Sequence, residues 1–314
     1  MQFWWNCSSK NINLKGSEIL MASYKIISDT ACDLYPSFMD NETVPRVPFY
    51  VTFDREHYEK EIAEISVDEF YRRIIEDKTY PSTSCPTIPD YTAVFEPCLK
   101  DGLDIICFCI SSLFSGSYQS AVNAANIILE SYPERRIQVI DSVQAAGGIG
   151  LLVYQSQKML EAGYTFDETV SVIERMKHDT HINFTVGTLD FLQHGGRIGK
   201  TKALAGTLFN VKPIIVMEEG ELFPVENVRG MKKAIKTIID KTAKEIEGHE
   251  NEYLVTAFFA SEYTSAMDPI LEHFNTDKYN YIPDMCRIGV TIGSHTGSVL
   301  YAIAYQKKYD LYEK

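Results

Sequence analysis

Read for the spacing of its apolar residues, the chain alternates between short runs with no polar interruption and longer stretches with a helical repeat. The clearest run is Ile105-Ile106-Cys107-Phe108-Cys109-Ile110. Six apolar residues in succession fit a strand buried on both faces of a parallel sheet. Tyr24 to Ile27 and Arg136 to Ile140 read as companion strands. All three stop in turns rich in Asp, Ser and Thr: Ser28 to Asp33, Ser111 to Ser117, and Asp141-Ser142. Val44 to Phe53 is a further β-rich run, with Pro45 and Pro48 marking edges or bends. Between the strands the spacing predicts helices over Val67 to Glu76, Asp90 to Leu99, Tyr118 to Glu130 and Ala145 to Ala162. Ser66 and Glu69 supply the S-x-x-E pattern that opens the first of them. Alternating strands and helices predict a right-handed parallel α/β domain, in which ligands lie at the carboxyl ends of the strands.

The second half has another texture. A helix is predicted over Phe166 to His178 and a strand over Ile182 to Val186. A β-hairpin follows, with Val211 to Glu218 and Glu221 to Val225 joined at Glu219-Gly220. Next come an amphipathic helix over Met231 to Glu247, strands over Tyr253 to Ala260 and Cys286 to Ile292, the turn Gly293 to Ser298, and a closing helix from Val299. A hairpin combined with α/β alternation predicts a mixed sheet. The expected organisation is a two-domain α/β protein: an N-terminal parallel-sheet domain over 21–164 and a C-terminal mixed-sheet domain over 165–314.

The first twenty residues carry no such pattern. Phe3-Trp4-Trp5 is too short for a signal-peptide core. Lys15 to Glu18 back-translates into a purine-rich run resembling a ribosome-binding site ahead of Met21. Residues 1–20 are therefore expected to be a non-native or disordered leader, with Met21 rather than Met1 as the native start.

Composition narrows the function classes. The 314 residues are 45% hydrophobic and 23% charged, as in ordinary globular proteins. A net charge of -13 argues against a nucleic-acid partner, since no broad basic face is available. No apolar stretch approaches the roughly 20 residues that span a bilayer. Seven cysteines without C-x-x-C spacing suit reduced thiols in a cytoplasmic protein rather than a disulfide framework or a zinc site.

Candidate chemistry gathers in the turns. Ser111 to Ser117, with Gly116, lies between a strand and a helix, where backbone N–H groups and serine hydroxyls can meet a small anion; simple helix capping is the competing explanation. Gly293 to Gly297 surrounds His295 with glycines and hydroxyls, a setting unlike that of a core histidine. A Ser115–His295 nucleophile with Asp29 as the third member is the rival arrangement, although no G-x-S-x-G elbow is present. Arg197, in the flexible loop after Gly195-Gly196, is a permanent cation suited to phosphate or carboxylate, although on spacing alone a solvated basic loop is the stronger explanation; Arg229 lies just beyond the hairpin. Nucleotide-binding glycine motifs and metal-ligand spacings are missing.

Eight blocks in order carry a resemblance: SDTACDL (Ser28 to Leu34), STSCP (Ser82 to Pro86), SSLFSGSYQSA (Ser111 to Ala121), Asp141-Ser142, FLQHGGRIGK (Phe191 to Lys200), KPII (Lys212 to Ile215), Val228-Arg229 and GSHTG (Gly293 to Gly297). Together they resemble the DegV family, which includes the fatty-acid-binding subunits of bacterial fatty acid kinase (FakB), over Tyr24 to about Tyr305. The resemblance implies a non-catalytic lipid-binding protein that buries a long-chain fatty acid and needs no other cofactor. It implies that Thr83, Ser115 and His295 hold the carboxylate, with Ser84, Gly116, Ser117 and Thr296 supporting the turns. A partner kinase would phosphorylate the bound carboxylate to an acyl phosphate for phospholipid metabolism, with Arg197 and Arg229 serving phosphate handling or partner docking. Membrane contact would be transient. Two departures stand out. Ser298 and Val299 replace the family's Pro-Gly after H-T-G, and Cys85 replaces the Gln of T-S-Q-P. Neither change removes a carboxylate ligand. Moving about 15 methylenes out of water gains roughly 12 kcal/mol gross, so such a ligand demands a deep apolar tunnel. Its head group must be hydrogen-bonded there to offset desolvation. A serine hydrolase acting on acyl esters, and a lipid store or sensor without a kinase, are the alternatives.

Overall fold

The computed structural model describes residues 24–33, 43–204, 210–261, 264–283 and 286–313. The expectations about residues 1–20 and the native start lie outside them.

The first half builds β1 (Tyr24–Asp29), β2 (Arg46–Val47), β3 (Tyr50–Thr52), β4 (Glu59–Lys60), β5 (Ser82–Ser84), β6 (Asp104–Cys109) and β7 (Ile137–Asp141). A four-stranded, wholly parallel sheet runs in the order β2-β1-β6-β7. The unbroken apolar run is its centre: every residue of β6 is buried. Alternation decides which layer each residue feeds. Ile105, Cys107 and Cys109 pack with Tyr91 and Phe95 of the Ile88–Lys100 helix. Ile106 and Phe108 point the other way, into a core shared with the second half. The run at Val44 to Phe53 is not one strand. Pro48 divides it, so that β2 extends the parallel sheet while β3 joins β4 and β5 in a small antiparallel one.

The second half forms β8 (Thr180–Val186), β9 (Val211–Glu218), β10 (Glu221–Arg229), β11 (Tyr253–Phe259), β12 (Asn280–Tyr281), β13 (Cys286–Arg287) and β14 (Leu300–Lys307). They make a mixed sheet in the order β10-β9-β8-β14-β11-β12, with β13 also beside β11. The β9–β10 hairpin turns at Glu219 and Gly220, both with positive φ (47° and 78°), as a two-residue primed turn requires. Helices Met231–Glu245 and Asp268–Phe274 cover one face. The other face joins the shared core, where the Gly147–Glu161 helix lies with 11 of its 15 residues buried.

The C-terminal reading needs a correction. The residues expected as a strand to Ile292, a His295 turn and a helix from Val299 instead form a helix over Val290–Thr296 that contains His295, and then strand β14. Both segments are buried almost throughout. Where a short segment is enclosed on all sides, its residues are not sorted into an exposed and a buried face, so periodicity does not distinguish helix from strand.

Candidate functional site

A cavity of about 320 Å³ opens in the shared core, between the carboxyl-end turns of the parallel sheet and the inner face of the mixed sheet. Its walls are mostly apolar, with Phe49, Ile110 and Phe114 from the first half facing Phe184, Met217 and Phe258 from the second. The polar residues come from separate segments: Thr83 and Ser84 from β5, Ser115 and Gly116 from the serine turn, Arg197, and Thr291, His295 and Thr296 from the Val290–Thr296 helix.

Each segment is fixed by local chemistry. β5 pairs antiparallel with β3, placing Thr83 opposite Val51. The serine turn is held by side chains reaching in from neighbouring strand ends: Asp29 Oδ2 accepts the Ile110 N–H at 3.0 Å, and Asp141 Oδ1 accepts the Ser112 N–H at 3.2 Å. Ser115 Oγ accepts the Ser117 N–H at 3.2 Å, satisfying one of the otherwise free amides that open the Ser117–Leu129 helix. Ser111 donates its hydroxyl to the Gly220 carbonyl at 2.9 Å and ties the turn to the hairpin tip.

The Thr83 hydroxyl and the His295 Nε2 are 2.9 Å apart, joining residues 212 positions distant in sequence. The His295 Nδ1 is buried without a partner among the described residues. Burial, and secondarily the positive charge of Arg197, push the imidazole down to about 4, so it is neutral at pH 7. The Arg197 guanidinium is pinned: Nε and Nη2 donate to the Phe114 carbonyl at 3.1 and 3.0 Å, and Nη1 donates to the Gly195 carbonyl at 2.6 Å.

The structure thus brings Thr83, Ser84, Ser115, Gly116, Arg197, His295 and Thr296 to one cavity. The lining does not include two of the residues singled out in the sequence. Ser117 is fully buried, donating its hydroxyl to Asp29 Oδ2 at 2.7 Å and sharing a 2.6 Å bond with the Tyr91 hydroxyl. Arg229 is exposed at the end of β10. The Ser115–His295–Asp29 relay is not assembled. His295 bonds to Thr83, and Asp29 accepts from Ala31, Ile110 and Ser117. Sequence reasoning gave Gly195 no role beyond loop flexibility. In the structure a Cβ at that position would lie 2.1 Å from the His295 Nδ1, so only glycine lets the ring settle there. Gly297 has the same relation to Phe191, at 2.6 Å, and also a φ of 78°.

A pocket with mostly greasy walls, several hydroxyls, a neutral imidazole and one cation can hold a single acidic head group on an apolar tail. No group of side chains suited to a metal ion occurs among the described residues, and none of their helices is long and apolar enough to cross a membrane.

A family model described as an uncharacterised protein of the DegV family matches residues 23–308. A DegV domain-containing protein of Clostridium perfringens is 32% identical over 281 residues, covering 88% of this chain and 95% of its own. A solved stearic acid-binding protein from Eubacterium ventriosum is 33% identical with a TM-score of 0.85, covering 92% of this chain and all of its own. A DegV family protein from Thermus thermophilus, solved for its fatty acid binding, is 27% identical with a TM-score of 0.79, covering 91% of this chain and 99% of its own.

Proposed function

The chain belongs to the DegV family, and from that premise we propose that its cavity binds a long-chain fatty acid and presents the carboxylate to a partner kinase for acyl-phosphate formation. The observation that carries this reading is the make-up of the cavity: Thr83, Ser115 and His295 all line a space whose walls are otherwise mostly apolar. In the proposed complex these three side chains share the carboxylate as donors. Hydroxyls and a neutral imidazole satisfy its oxygens without a full opposing charge at contact distance. That leaves the oxygens nucleophilic enough for phosphoryl transfer, a reaction that depends mainly on positioning and electrostatics supplied by the kinase. The chain itself is the non-catalytic member of the pair, working in the cytoplasm in the service of phospholipid metabolism.

The reading is tested by mass spectrometry of lipid extracted from the purified protein, followed by fatty-acid titration of Ser115→Ala and His295→Ala. A long-chain acid in the extract, and at least tenfold weaker binding in both variants with the fold intact, are expected. Full retention of binding in both counts against it. Labelling of Ser115 by a fluorophosphonate probe would favour a hydrolase instead. A pull-down from the host that yields no kinase-like protein would favour a store or sensor.

A further inference from the structure

The segment Ser28 to Asp33 has no residue in the cavity lining, yet it reaches two of the segments that supply the head-group ligands, the serine turn and the turn into the His295 helix. Asp29 sits beneath the serine turn and is fully buried. Its Oδ1 accepts the Ala31 N–H at 3.2 Å, and its Oδ2 accepts both the Ile110 N–H and the Ser117 hydroxyl. Four residues on, Asp33 reaches the other turn. It is 3% exposed, and its Oδ1 accepts the Gly289 N–H at 2.7 Å, immediately ahead of the helix that carries His295.

Glu61, also 3% exposed and following β4, completes this attachment. Its Oε1 accepts the Val290 N–H at 2.6 Å, and its Oε2 accepts the Thr291 hydroxyl. The two acids converge on one point. A Cβ at Gly289 would lie 2.6 Å from Glu61 Oε1 and 3.1 Å from Asp33 Oδ1. Both acids belong to the first half of the chain and the helix to the second, so the bonds span 256 and 229 residues. Burying carboxyl groups is unfavourable unless donors meet them; Asp29 and Glu61 use both oxygens, whereas Asp33 Oδ2 has no partner among the described residues and the Gly289 N–H alone offsets its burial, so a bond lost here adds an uncompensated polar atom to the core. The bonds are therefore stiff attachments, and they end on the two segments whose relative placement decides whether Ser115 and His295 can share one carboxylate.

We infer that Asp29, Asp33 and Glu61 are positioning residues, setting the serine turn and the His295 helix at the spacing that grips the ligand's head group. This rests on the proposed fatty-acid reading. None of the three lines the cavity, so each acts through the residues it holds.

The test uses hexadecanoic acid labelled with carbon-13 at its carboxyl, bound to the full chain, with the bound carboxyl resonance and the dissociation constant read together. Asp33→Ala is expected to weaken binding at least tenfold and to move the resonance. Asp33→Asn keeps an oxygen for the Gly289 N–H and is expected to restore both. A purely structural part would lower the melting temperature of Asp33→Ala and leave the resonance of the folded fraction in place; that result, or an Asn variant as impaired as Ala, overturns the inference. Should Asp33→Ala not fold, two milder variants outside the cavity lining take its place: Ser117→Ala removes a donor to Asp29, and Glu61→Gln leaves Oε1 to the Val290 N–H while replacing the oxygen that accepts from Thr291. Movement of the resonance in these variants supports the inference, and an unmoved resonance in both overturns it. Failure of the unaltered protein to take up the acid overturns the functional reading and this inference with it, whereas normal uptake with unmoved resonances overturns the inference alone.

Discussion

The imidazole of His295 rests directly on Gly195: a methyl group at residue 195 would lie 2.1 Å from Nδ1 and 2.8 Å from Cε1. The atoms in the way belong to a ring that is itself bonded to Thr83, so the clash cannot be relieved by swinging a flexible tip aside. Gly195 has an ordinary φ of -75°, which makes the requirement one of space and not of backbone conformation. Gly195→Ala is therefore expected to keep the fold and displace the ring, weakening fatty-acid binding about tenfold or more, or about 1.4 kcal/mol. Isothermal titration with a long-chain acid measures this, and an unchanged dissociation constant would show that the ring's placement is immaterial.

The same ring sets a pH dependence. An unfolded histidine takes up its proton near 6.5, whereas buried His295 holds out to about 4. Between those values the unfolded chain binds the extra proton, so stability is lost as the pH falls, by on the order of 3 kcal/mol for the unliganded protein. Asp29, Asp33 and Glu61 work in the opposite sense. Burial raises all three, Asp29 to about 7, so the folded state takes up their protons first and stability falls as the pH rises through that range. Urea unfolding of the unaltered protein and of His295→Gln, at pH 7 and pH 4.5, separates the two contributions. The histidine's share is the extra stability the unaltered protein loses on acidification, and equal losses in both proteins would refute it.

The legible parts of the fold were those in which a local rule governs. The β6 run and the Ser66 cap that accepts the Glu69 N–H follow from residue type and spacing alone. The eight-block resemblance likewise identified the family, and it named Thr83, Ser115, Arg197 and His295, which the fold gathers at one cavity. The C-terminal helix and strand were exchanged because both are enclosed by the core and neither has a solvent-exposed face to betray its period. Glu61 was invisible for another reason. Between Lys60 and Ile62 it looks like any surface acid, and only tertiary placement buries it under a helix 229 residues away. The role of Gly195 depends on a ring one hundred residues downstream, and no pattern in the sequence encodes that distance.

The family resemblance assigns Arg197 to phosphate handling or partner docking. Its geometry adds a second task. Three N–H donors fork across the Phe114 and Gly195 carbonyls, joining the serine turn to the loop beneath His295. A lysine carries the charge but lacks the planar fork, so it cannot reproduce both contacts. Arg197→Lys is accordingly expected to melt several degrees lower while His295 continues to titrate near its original pH. Arg197→Ala removes the charge as well, which relieves the repulsion that helps hold the imidazole neutral, and the His295 titration midpoint should then rise. Proton NMR of the histidine ring in the two variants distinguishes the contributions: a midpoint that stays put in Arg197→Ala would mean that burial alone depresses it, and a melting temperature unchanged in Arg197→Lys would mean that the fork holds nothing in place.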